Sequence, residues 1–103
     1  MDDSSQITIP PSFTALFVPP GKTRPTASHA HIAQRYELCE DMAQMLCETA
    51  GQQQFKTGAP PALLVRTMEQ ALQGPDAVLD AGEAHWVVLR MAELLQWELG
   101  ADS

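Results

Sequence analysis

One periodicity limits what this chain can fold into. Ile32, Tyr36, Cys39, Ala43, Leu46 and Ala50 recur at spacings of four and three, the rhythm of a helix with one face turned to a core. At ~100° per residue, Glu37, Asp41, Gln44 and Glu48 fall on the opposite side as a solvated face. Leu38, Met42 and Met45 widen the apolar arc to about half the circumference, so the helix should meet more than one neighbour. It is expected over residues 28–50, with Gly51 as its stop.

Two more helices follow from local signals. Pro60-Pro61 opens one, and Leu64, Val65, Met68, Ala71 and Leu72 carry it to Gln73, before Gly74-Pro75. GQQQFKTG, between the first two helices, reads as a polar loop. Residues 76–79 are ambiguous and could form one helical turn. Asp80-Ala-Gly-Glu83 has the form of a capping box, in which the Asp side chain accepts an orphan N–H and the Glu reaches back. The helix it starts should run over residues 81–99, with Gly100 as its stop. No alternating run is long enough for a sheet. The predicted class is all-α, a small bundle of three main helices (28–50, 61–73, 81–99).

Ahead of them lies a different kind of chain. Five of the eight prolines fall within the first 27 residues. Residues 1–27 are therefore read as an N-terminal arm on a helical body, 28–103, within a single domain. Ile7, Ile9, Phe13, Leu16, Phe17 and Val18 are too apolar for a disordered tail. The arm should pack on the body, with a short helix over 10–17 and only residues 1–5 loose.

Charge narrows the function classes. Thirteen acids against six bases give a net charge of −7 and a pI near 4.6. The division is uneven, +1 up to Tyr36 and −8 from Glu37 onward. A chain this acidic is a poor partner for nucleic acid or an anionic membrane, both of which select clustered Lys and Arg. The start, MDDSSQ, has no secretory pattern, and no apolar run reaches the ~20 residues of a membrane span. A cytoplasmic location is expected. Cys39 and Cys47 are separated by roughly 12 Å along one helix at ~1.5 Å per residue, too far to bridge each other; they read as reduced, buried thiols.

PPGKT, residues 19–23, imitates the end of a phosphate loop. The full pattern needs a glycine where Leu16 stands, and Pro19 and Pro20 have no N–H to offer a phosphate. Pro25 pushes Arg24 away from helical geometry just where a helix should open. The stretch is read as a turn with a solvated lysine, and no nucleotide is expected. His29 and His31 are two apart and share no ligand face, so no metal or other cofactor is expected. The carboxylates lie on the most polar helix face, where nothing shifts a pKa toward acid–base work.

The last helix offers the strongest candidate for binding. Ala84, Val87, Val88, Met91, Leu94 and Leu95 make one apolar stripe, and Trp86, Arg90, Glu93 and Trp97 make a second row on the far side. Trp and Arg dominate protein interfaces, and a guanidinium stacks on ring faces. Either Phe13, Leu16 and Phe17 of the arm cover this row, or it is a partner-binding patch. With Leu38 and Met45 of the first helix, these four residues form the candidate partner-binding set.

IPPSFTALFVPPGKTRPT, HIAQRYELCEDMAQML and EAHWVVLRMAELLQWEL together resemble a family of small uncharacterised proteins of betaproteobacteria, some described by prediction as "ATPase with chaperone activity". The resemblance covers about residues 7–99 and carries no catalytic motif. It implies a small cytoplasmic protein and places no activity on any residue here. The expected function is a non-catalytic helical interaction module (adaptor, regulator or chaperone-like) that binds a protein or itself. The alternative is a small enzyme or ligand-binding protein with a pocket between arm and bundle, using Tyr36, His85 or a carboxylate.

Overall fold

A computed structural model describes residues 8–99. The chain is an all-α small bundle, with no strand among the described residues. Its elements are a short helix α1 (Pro11–Thr14) continued by a 3-10 turn (Ala15–Phe17), then α2 (His29–Thr57), α3 (Pro61–Leu72) and α4 (Ala81–Leu94). The chain divides into two compact units, Met1–Leu38 and Cys39–Ser103, with the boundary inside α2. The loose segment expected at residues 1–5 and the stop expected at Gly100 lie outside the described residues.

The first unit is organised by aromatic rings. Pro11 starts α1, and Phe13, on its single turn, is completely buried. The Phe13 ring lies 5.6 Å from Phe17 and meets Tyr36 of α2 edge-on at 5.6 Å; Phe17 in turn stands edge-on to His31 at 5.9 Å. Such pairs add about 0.5–1.5 kcal/mol each beyond their buried area. The stretch between them is a closed loop. Pro19-Pro20-Gly21-Lys22 is a type II turn, with Gly21 at φ +78° and the Lys22 N–H donating to the Pro19 carbonyl at 3.1 Å. Farther on, the Thr26 N–H and hydroxyl both donate to the Phe17 carbonyl. Ser28 then caps α2, its hydroxyl oxygen accepting from the His31 N–H at 3.1 Å.

In the second unit α2, α3 and α4 pack together, with α4 the most enclosed of the three. Glu83, Ala84, Trp86, Val87, Val88, Met91 and Ala92 of α4 are all buried. Cys39, Ala43 and Ala50 of α2, Leu64 and Val65 of α3, and Leu79 complete the core. The capping box forms as the D-x-x-E spacing requires: the Glu83 N–H donates to Asp80 Oδ1 at 2.8 Å, and the Asp80 N–H donates to Glu83 Oε1 at 3.1 Å. Residues 76–79 form no helix; the turn before them closes by the Ala77 N–H on the Gly74 carbonyl.

Helix ends differ from expectation at two places. The first helix does not stop at Gly51 but runs two further turns to Thr57. The stop is Gly58, at φ +67°, whose N–H donates to the Gln54 carbonyl at 2.8 Å. That is the left-handed glycine cap that ends many helices. Gly51 costs its helix about 1 kcal/mol relative to alanine, too little to end it. The segment read as a polar loop is thus largely helix.

The last helix stops at Leu94 rather than near Leu99. Gln96 takes φ +60°; its N–H donates to the Glu93 carbonyl, and the Trp97 N–H donates to the Ala92 carbonyl. Together these bonds make a Schellman motif built on a non-glycine residue.

Candidate functional site

The tryptophan row of α4 is largely committed to the fold. Trp86 is buried, with 9% of its surface exposed. Arg90 is held from two sides: its Nε and Nη2 donate to the Glu40 carboxylate of α2 at 2.9 and 3.1 Å, and its Nη1 donates to Glu93 at 2.8 Å. The two bonds to Glu40 make a bidentate, charge-assisted clamp. The Arg90 hydrogen bond holds the Glu40 carboxyl below its ordinary range against the opposing pull of burial, while its carboxylate partners, Glu40 first, raise the guanidinium. Trp97 is half-buried and lies beyond the helix end, so the row does not continue along α4 past Glu93.

The two cysteines lie against the core. Neither is in a disulfide; Cys39 is fully buried, and the half-buried Cys47 points its thiol at the Met91 carbonyl, 3.8 Å away. Burial pushes the Cys47 thiol up, and the charge of Arg90 only partly offsets it. A thiol so placed stays protonated at neutral pH. His85 is exposed and pairs with Glu69 at 3.1 Å, whereas Tyr36 belongs to the aromatic cluster of the first unit. Among the described residues no three His, Cys, Asp or Glu side chains are grouped to hold a metal.

Two surface hollows are lined by described residues. One, of about 370 Å³, runs beside the α3–α4 connection and is lined by Met42, Leu72, Pro75, Asp76, Val78 and Leu79 among others. Asp76 is its single ionisable side chain. The other, about 310 Å³, is formed by Pro19, Lys22, Thr23, Arg24 and Thr26. Of its backbone donors, Pro19 has none, Lys22 gives its N–H to the Pro19 carbonyl and Thr26 gives its own to the Phe17 carbonyl.

The two most exposed large apolar side chains are on α2, with Val78 of the α3–α4 connection close behind at 63%. Met45 is 66% exposed and Phe55 is 92% exposed. Between and before them Asp41, Glu48 and Gln52 are exposed as well. Leu38, the other candidate on this helix, is half-buried at the end of the first unit. Sequence reasoning misses Phe55 because Gly51 reads as the stop. The signal that would have found it is Gly58 followed by Pro60-Pro61, a stronger terminator than Gly51 alone.

No helix of the described residues is long and apolar enough to cross a membrane. No family model matches the chain, and no curated protein or solved structure matches it significantly.

Proposed function

We propose that this chain is a non-catalytic helical interaction module, an adaptor or small regulator whose partner is a protein. The observation that carries the reading is the outward face of α2, where Met45 and Phe55 stand in solvent while the fold has buried smaller apolar side chains elsewhere. A phenylalanine left 92% exposed contributes nothing to the fold, and leaving such a side chain in water forgoes about 1.5–3 kcal/mol that burial would supply. Met45 and Phe55 lie roughly 15 Å apart along α2 with polar side chains between them, on a face open to a partner's apolar contacts. Two free thiols, one fully buried, fit a reducing compartment, which supports a cytoplasmic location.

Affinity capture from the native cell tests this with four baits: wild type, Met45→Glu, Phe55→Glu and Trp97→Ala. The α2 variants should lose proteins that wild type and Trp97→Ala retain. An identical set on all four baits, or no protein above the control, would overturn the reading.

A further inference from the structure

Resting on the interaction-module reading, we infer that the outward row of α2 receives a basic amphipathic helix of a partner protein. The row is Asp41, Met45, Glu48, Gln52 and Phe55, all exposed and spaced by four, three, four and three residues. That spacing puts the five side chains on one face of the helix, two of them apolar and two acidic. This face is roughly 21 Å long at ~1.5 Å per residue, enough to hold several turns of a partner. Strand addition would need a free sheet edge, and the described residues contain no strand. A helix lying along the row needs only side chains, and these are what α2 presents.

The chemistry of the partner follows from what this face lacks. Met45 and Phe55 ask for apolar side chains opposite them. Asp41 and Glu48 have no cationic partner among the described residues. Over residues 39–99 nine carboxylates face Lys56, Arg66 and Arg90, and Arg90 is already held by two of them. Along Cys39–Thr57 the single base is Lys56, at the far end. A partner with lysine or arginine flanking its apolar stripe is drawn to this field and set in register by it.

A second copy of this chain is the poorer occupant. Parallel pairing sets Asp41 against Asp41 and Glu48 against Glu48. Antiparallel pairing centred on Glu48 still joins two carboxylates and puts Asp41 opposite Phe55; centred on Ala50 it sets Met45 against Phe55 and Glu48 against Gln52, but it still lays two net-acidic helices side by side. Like charges brought together in this way oppose association.

The probe is a fluorescent synthetic peptide of about 20 residues, long enough to form a helix, with leucines at four-three spacing and lysines and arginines beside them. One control replaces every base with glutamate; a second scrambles the order so that no apolar face forms. Anisotropy titrations against the full chain should show binding of the first peptide, at least about tenfold tighter than either control. Phe55→Ala should weaken it roughly tenfold, as truncating a central apolar anchor does. The double variant Asp41→Lys, Glu48→Lys should weaken it as much and flatten its salt dependence.

Circular dichroism confirms that the variants fold. Equal binding of the scrambled basic peptide, or indifference to Phe55→Ala, would refute the inference as mere charge attraction. A wild-type dimer that Phe55→Glu converts to monomer would refute it in favour of a second copy. If α2 variants lose cellular partners in the capture experiment while no peptide binds, the docking face stands and its basic helical occupant is wrong.

Discussion

Two rows of side chains, one on α4 and one on α2, differ in how far the fold leaves them free. The α4 row, with two tryptophans flanking an arginine, looks like an interface, yet Trp86 is buried and Arg90 is clamped by Glu40 and Glu93. On α2, Asp41 and Glu48 read as part of a solvated face, Met45 as a binding candidate and Phe55 as part of a loop, yet all four share one exposed row that ends in a phenylalanine 92% exposed. Residue type says what a side chain is able to do. Whether it is free to do it depends on what the fold has placed beside it.

The comparison breaks most visibly at two methionines. Met91 is fully buried on α4, and Met91→Ala should destabilise the protein by about 2–5 kcal/mol through lost transfer energy and a cavity. Met45→Ala, on the exposed row, should stay within about 0.5 kcal/mol of wild type. Urea unfolding of the two variants decides; similar midpoints would mean that the α2 row is part of the core.

Next in size is the clamp. Glu40→Gln should cost about 1–2 kcal/mol, because it weakens a charge-assisted pair whose arginine is partly solvated. The folded pKa of Glu40 is lowered, so the folded state binds its proton less readily than the unfolded chain. The pair's stabilisation is therefore complete above the unfolded value, roughly pH 4.3, and fades as pH falls through the lower folded value. The gap between wild type and Glu40→Gln should be constant from about pH 5 to 7 and shrink below about pH 4. A gap independent of pH would show that packing, not charge, holds Arg90.

The two glycines of α2 sharpen the comparison at its exposed end. Gly58→Ala should destabilise by about 1 kcal/mol, since the side chain has room but the backbone sits at φ +67°. Gly51→Ala, inside the helix and with open space around it, should stabilise by about 0.5–1 kcal/mol. Opposite signs in thermal melts would confirm which glycine ends the helix. The smallest effect is at the end of α4: Gln96→Gly relieves a left-handed residue and should gain about 0.5–1 kcal/mol. A loss there would mean that the glutamine side chain repays its backbone strain.

Legibility in the sequence followed the range of the interactions. The capping box at Asp80 and Glu83, the type II turn at Gly21 and the proline start of α3 depend on neighbours within four residues, and each formed as its spacing requires. The short helix near residues 11–17 was legible for the same reason. Helix ends were less so. Gly51 carries a weak stop signal that helix propagation overrides, and Gln96 carries none, because the Schellman motif there is made by backbone bonds to Ala92 and Glu93. Phe55 is lost with the misplaced end of α2, although Met45 of the same row is legible as a binding candidate.

By itself, then, the sequence determined that the chain is all-helical, where each helix begins, and that its second part is strongly acidic. These follow from periodicity, caps and composition, which act over a few residues or over the whole chain regardless of path. Only the tertiary structure decided that Glu40 meets Arg90 from fifty residues away, that Trp86 is buried and that Met45 and Phe55 are not. Each outcome depends on which helix surfaces exclude water from one another, and no local spacing encodes that.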